Sequence, residues 1–207
     1  MIFYFFGDSI STGKHISVHK TWVHKISQEL DKKFKNVQVN NASVNGNTTR
    51  MALERMHNDA LSHNPDIIYI QFGLNDCKIL DTDYGCERVS KEAYLANIKE
   101  MIARSIAAGV KKIIINSSHI SNINTRLPHS NITYEESNTV YYNLLLTLKR
   151  QFSDSVLFID IREYLKNKNI SAGNYLLNDG LHLNELGHEY YFEYIYPFVE
   201  NVIMELQ

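Results

Sequence analysis

The chain has 207 residues, 44% of them hydrophobic and 21% charged, with only 3 prolines. That material is enough for one domain, residues 1–207, around a single sizeable core, and it excludes an intrinsically disordered chain. The formal net charge is −2 and no Lys/Arg block interleaves with aromatics, which excludes the electrostatic footprint of a nucleic-acid partner.

Short apolar runs alternate with helix-period segments along the whole chain. The first run, Ile2–Phe6, is too short to cross a membrane and has no basic segment ahead of it. Neither a leader nor a membrane span is expected, and a cytoplasmic location is favoured. Val23, Ile26, Leu30 and Phe34 then recur at helical spacing. Val37–Asn41 and Ile67–Phe72 read as the second and third strands. Cys77–Val89 is too long and polar for a simple connection, and its two cysteines, Cys77 and Cys86, read as free thiols. A second stripe, Leu95, Ile98, Ile102 and Ile106, closes at Gly109 as a C′ residue. Lys112–Asn116 is the fourth strand, followed by a second long polar stretch, Ser117–Tyr134. Val140, Leu144 and Leu148 mark a third helix and Val156–Ile161 the fifth strand. Leu186, Tyr190 and Tyr194 open a C-terminal helix that Pro197 should kink.

Near-continuous apolar strands are those covered on both faces of a parallel sheet. The alternation therefore predicts an α/β fold, a three-layer α/β/α sandwich with a central five-stranded parallel sheet. The two long polar stretches are candidates for shaping a substrate site.

Three runs fall just beyond strands or in the last loop: Gly7-Asp8-Ser9-Ile10, Gly73-Leu74-Asn75-Asp76 and Asp179-Gly180-Leu181-His182. In an open parallel sheet ligands bind beyond the carboxyl ends of the strands, which is where Ser9 follows the first one. A serine hydroxyl needs a base to become a nucleophile, and a base needs an orienting acid. His182 and Asp179, three residues apart across Gly180, can supply the pair. The backbone N–H groups of Ser9 and Gly46 and the side-chain amide of Asn75 are candidate oxyanion donors, with Asp8 and Asp76 supporting their runs. Taken singly, each run is equally readable as turn chemistry, Asn45-Gly46 as a plain turn and Asn75-Asp76 as an Asx-turn.

Two other readings are weaker. Gly7 to Lys14 approximates a phosphate-binding loop, but five residues separate Gly7 from Gly13 and His15 stands where a magnesium-binding Ser or Thr belongs. His188 lies six residues beyond His182, without the spacing of a zinc helix, so neither metal nor cofactor is expected.

With Ser43-Val44-Asn45-Gly46-Asn47-Thr48 added, these runs resemble the four blocks of the SGNH hydrolases, the GDSL-type esterase/lipase family, with Ile10 in place of the usual Leu. The resemblance extends from residue 7 to residue 182. It implies a flavodoxin-like fold, catalytic Ser9, His182 and Asp179, and an oxyanion hole of Ser9, Gly46 and Asn75. It also implies a small-molecule ester as partner and no cofactor. Polar loops suit a small acyl group, acetyl above all, on a hydrophilic alcohol such as a carbohydrate. A thioesterase or lysophospholipase of the same family, and a carbohydrate- or protein-binding module without turnover, are the alternatives.

Overall fold

A computed structural model of the protein describes residues 1–151 and 154–207. Its five strands are β1 Ile2–Gly7, β2 Gln38–Asn41, β3 Ile67–Gln71, β4 Lys112–Asn116 and β5 Val156–Ile159. All pair in parallel, in the order β2-β1-β3-β4-β5. The helices are α1 Ser9–Thr12, α2 Trp22–Lys33, α3 Thr49–Asp59, α4 Lys91–Ala107, α5 Tyr134–Lys149, α6 Ile161–Asn167, α7 Ala172–Tyr175 and α8 Glu185–Glu205. α2, α6 and α7 pack with α8, while α3 and α5 pack with α4, giving two helical layers around the sheet. This is the expected α/β/α sandwich with flavodoxin-like strand order. The chain leaves β1 for β2 on one side and returns to β3 on the other, so β1 and β3 flank the switch point where such sheets bind ligands.

β1, β3 and β4 are buried almost throughout, as their apolar runs require. β2, with sequence Gln-Val-Asn-Asn, is an edge strand with exposed ends rather than a doubly covered one. Its polar side chains suit an edge that must not recruit a neighbour.

Three of the expected helical stripes are turned by about one residue. α4 buries Tyr94, Ile98, Met101 and Ser105 and leaves Ile106 exposed. α5 buries Tyr134, Ser137, Asn138, Tyr141, Leu145 and Leu148, while Val140 reaches the surface. α8 buries Tyr191, Ile195, Val199 and Val202 instead of Leu186, Tyr190 and Tyr194. Burial of the hydroxyls is possible because each has a partner: Ser105 Oγ donates to Met101 O at 2.8 Å, Ser137 Oγ to Cys77 O at 2.9 Å and Tyr141 to Val89 O. α8 is helical across its whole span with an exposed Pro197 inside, so proline does not end it. Among the described residues no helix is long and apolar enough to cross a membrane. Cys77 is buried, Cys86 exposed, and both are free.

Trp22 joins the core to the first site run. It is fully buried against Phe5, Tyr69 and Tyr191, and its indole N–H donates to Ile10 O at 2.9 Å. Trp22→Ala is expected to cost about 3–5 kcal/mol in urea unfolding, cavity and lost donor together. A midpoint unchanged from wild type would show that this ring does not support the core.

Candidate active site

β1 delivers its chain directly into a single-turn helix. Asp8 is the N-cap of α1, its carboxylate accepting the Ile10 N–H at 3.0 Å, and Ser9 is the first helical residue. Gly13 ends α1 in the left-handed conformation, φ 73°, against Thr21, where a Cβ would lie 2.1 Å from the threonine methyl. Ser9 is thus pinned at the carboxyl edge of the sheet, 6% exposed.

His182 arrives from the far end of the chain. Its Nε2 lies 3.0 Å from Ser9 Oγ and its Nδ1 2.6 Å from Asp179 Oδ2. The other Asp179 oxygen accepts the backbone N–H groups of Leu181 and His182, both at 2.9 Å. Burial works to raise the Asp179 carboxyl, but these three donors outweigh it and hold it down to about 2. Ionised Asp179 selects the tautomer with the proton on Nδ1, leaving the Nε2 lone pair toward Ser9. Burial lowers the His182 pKa, Asp179 opposes that fall, and the charges of Lys14 and His15 add to it.

The loop carrying this pair is braced by buried polar groups. His119 Nε2 meets Leu181 O at 2.9 Å and its Nδ1 meets Tyr191 Oη at 2.6 Å, while Gln71 Nε2 donates to the same hydroxyl at 3.3 Å. Burial takes His119 down to about 4, so it serves as a neutral spacer. Beyond the loop, Asn184 caps α8 through Gly187 N at 2.9 Å. Gly187 lies so close to α7 that a Cβ there would sit 2.2 Å from Tyr175 O.

The remaining two runs meet at Asp8. Asn75 Nδ2 donates to Asn47 O at 3.1 Å and to Asp8 Oδ2 at 3.3 Å. Gly46 occupies a turn closed by Asn47 N–H to Val44 O, with φ 77°. The N–H groups of Ser9 and Gly46 make no hydrogen bond to any described residue. Asp76 is buried and accepts the N–H of Thr49 at 2.9 Å and its hydroxyl. Burial pushes Asp8 up to about 7 and Asp76 up to about 6.

Ser9, His182 and Asp179 therefore form a continuous hydrogen-bonded chain, and Asn75 is joined to it through Asp8. His188 lies apart from this chain: its Nδ1 accepts the Trp22 N–H at 3.2 Å in the interior, which is a packing role. Sequence reasoning did not single out three supporting groups. Asn47 holds the Asn75 amide, Arg55 bonds Asn47 Oδ1 at 2.6 Å, and Arg88 bonds Gly46 O at 3.2 Å. Asn47 lies inside the Ser43–Thr48 run, whereas the arginines carry no local signal. A recess of about 660 Å³ borders the acid side, with Asn122, Asn124, Thr125, Asn178 and Asp179 on its walls beside apolar Ile123, Leu176 and Leu177.

Residues 5–190 match the GDSL-like lipase/acylhydrolase family, and the chain belongs to it. Among curated relatives, an uncharacterized lipoprotein of Bacillus subtilis, YqeF, is 36% identical over 80 residues, 39% of this chain and 32% of that protein. An arylesterase of Vibrio mimicus is 27% identical over 109 residues, 53% of this chain and 50% of that one. The chain thus aligns with half or less of the length of either relative. Its fold is also that of a lipase/acylhydrolase from Enterococcus faecalis, TM-score 0.78 at 22% identity over 97% of this chain and 95% of the other. An acetylxylan esterase from Geobacillus stearothermophilus gives 0.76 at 18% identity over 94% and 91%.

Gly46 has open space where a Cβ would be, so its cost of substitution is conformational alone. Gly46→Ala is expected to destabilise by about 1–2 kcal/mol in urea unfolding, the cost of a left-handed L-residue. A larger loss would mean that the turn is packed more tightly than described.

Proposed function

We propose that the protein is a serine esterase for carboxylic esters of small acyl groups, acetyl foremost, on a polar alcohol such as an O-acetylated carbohydrate. The observation that carries the reading is the chain Asp179–His182–Ser9, with contacts of 2.6 and 3.0 Å, at the carboxyl end of β1. His182 takes the Ser9 proton as Oγ attacks the ester carbonyl, then returns it to the departing alcohol. Water repeats the sequence on the acyl-enzyme. Asp179 stays ionised throughout and steadies the imidazolium.

The oxyanion is received by the unengaged N–H groups of Ser9 and Gly46 and by Asn75 Nδ2. Asn75 can redirect its longer bond, the 3.3 Å contact with Asp8, while the Asn47 carbonyl keeps the amide in place. Because burial brings Asp8 up to about 7, part of the population places no negative charge beside that oxyanion at neutral pH. No metal or organic cofactor enters these steps. The asparagines and threonine on one wall of the recess beside Asp179 offer hydrogen bonds to a hydrophilic alcohol, and the acetylxylan esterase neighbour acts on such a substrate class.

Initial rates on p-nitrophenyl esters from acetyl to palmitoyl test the reading. The maximum is expected at acetyl, with acetate released from O-acetylated xylo-oligosaccharides as the natural-substrate check. Ser9→Ala and His182→Ala are each expected to lower kcat by about 10⁴-fold or more with near-UV circular dichroism unchanged. An undiminished rate in either variant removes that residue from the mechanism, and a maximum at long chains moves the substrate class to lipids or acyl thioesters.

The neutral form of His182 is the active one, and its folded pKa is lowered by burial against the pull of Asp179. The acid limb of kcat/KM is therefore expected below the ordinary histidine range. Asp179→Asn removes the opposing carboxylate, so the limb moves further toward acid while kcat falls by about 10³–10⁴-fold. A limb that moves upward in Asp179→Asn would contradict this account of His182.

A further inference from the structure

His15 takes no part in the proposed chemistry, yet the chain goes to some trouble to place it. The N–H of Ile16 returns to Gly13 O at 3.0 Å, closing a four-residue turn in which His15 is the third residue. His15 has φ 71°, a left-handed conformation that this position of a turn normally assigns to Gly or Asn. A non-glycine residue there costs about 1 kcal/mol or more, a strain that packing or hydrogen bonding usually offsets. The residue is exposed and makes no hydrogen bond or ion pair with any described residue, and the strain is set against one ring contact, with His182. What the strained turn does achieve is orientation. The His15 ring stands edge-on to His182, with centroids 5.4 Å apart and planes at 90°.

One ligand atom each from His15, Asp179 and His182 lies within 4.8 Å of the other two. We propose that these three residues form an inhibitory site for a divalent transition-metal ion of the zinc type. Two imidazoles and a carboxylate are a donor set that zinc accepts, with a fourth position open to water. Zinc ligands at about 2.0–2.2 Å from the metal lie roughly 3.3 Å from one another, so a small rotation of the exposed His15 side chain closes the set. Asp179 Oδ2 lies 2.6 Å from His182 Nδ1, so an ion held by both takes the place of their shared proton and parts them slightly. Lys14 is the one like charge acting on His182 from the same turn as His15, and it limits affinity without blocking the ligands.

The inhibitory consequence rests on the reading of His182 as the base. A metal shared by Asp179 and His182 lies on the Nδ1 side of the ring, displaces the proton held there and leaves the imidazole proton on Nε2, so no lone pair faces Ser9. The ion then blocks turnover without touching Ser9. Hard ions such as Mg²⁺ prefer oxygen ligands and keep their water, so they should not bind here.

The test measures Zn²⁺ binding and Zn²⁺ inhibition separately. Isothermal titration calorimetry with ZnCl₂ is expected to show one site in wild type and in Ser9→Ala, with affinity lowered by at least about tenfold in His15→Ala, the scale on which lost support weakens metal sites. Inhibition of p-nitrophenyl acetate hydrolysis, referred to each variant's own uninhibited rate, is expected to be reversed by EDTA, absent with Mg²⁺ and weakened in parallel by His15→Ala. Equal zinc affinity in wild type and His15→Ala, or no binding to either, overturns the site. Binding that depends on His15 while the enzyme hydrolyses no ester keeps the metal site and sinks the esterase reading instead.

Discussion

Asp8 buries a carboxylate between two segments that the chain could otherwise place independently. One oxygen takes the N–H of Ile10 and so fixes where α1 begins and where Ser9 stands; the other takes the amide of Asn75. Asn75 in turn holds the carbonyl of Asn47, in the loop that follows β2. A single connected path therefore ties together the ends of β1, β3 and β2. An isolated buried charge would be costly, and the rise of Asp8 to about 7 is the visible remainder of that cost after its donors have offset part of it. The N–H of Thr49 to Asp76 and the N–H of Val44 to the Gly7 carbonyl tie the same segments a second time.

The same economy explains why so many polar residues lie in the interior of a small sheet protein. Gln71, Tyr191 and His119 carry hydrogen bonding from the sheet through α8 to the carbonyl of Leu181, next to the proposed base. Such networks are worth having only when every member is satisfied, because an orphaned buried group costs more than a bond contributes. Here the members are spent on holding the His182 loop at hydrogen-bonding distance from Ser9. Packing alone would leave a loop of that kind free to drift.

The strands, their parallel sense and the four site runs were legible because each is a local pattern: apolar runs of strand length, and short motifs at strand ends. The phase of α4, α5 and α8 was not. Hydropathy assigns Ile106, Val140 and Leu186 inward, but the buried face is set by partners elsewhere, such as the Cys77 carbonyl for Ser137 and the Val89 carbonyl for Tyr141. β2 differs, since the polar residues of Gln-Val-Asn-Asn are themselves suited to an edge and do not fit a doubly covered strand. His15 was visible as the residue that spoils a phosphate-loop pattern. Its neighbour, His182, comes from the opposite end of the chain, and no local signal joins the two. The arginines that brace Asn47 and Gly46 are hidden for the same reason.

The contact between Gly187 and the carbonyl of Tyr175 has a consequence for how the protein can diversify. With no room for even a methyl group, α8 and the segment before the His182 loop behave as one welded joint, and Gly187 is closed to change although it touches no reacting atom. In the loops at 77–89 and 117–133, buried His119 and Gly85, close against the His129 carbonyl, are held as firmly, but exposed positions such as Leu80 and Tyr84 carry no comparable constraint. Lineages descended from this chain can therefore remodel the mouth of the cleft residue by residue while inheriting the geometry of its back wall unchanged. New preferences would be written on one side of the serine only.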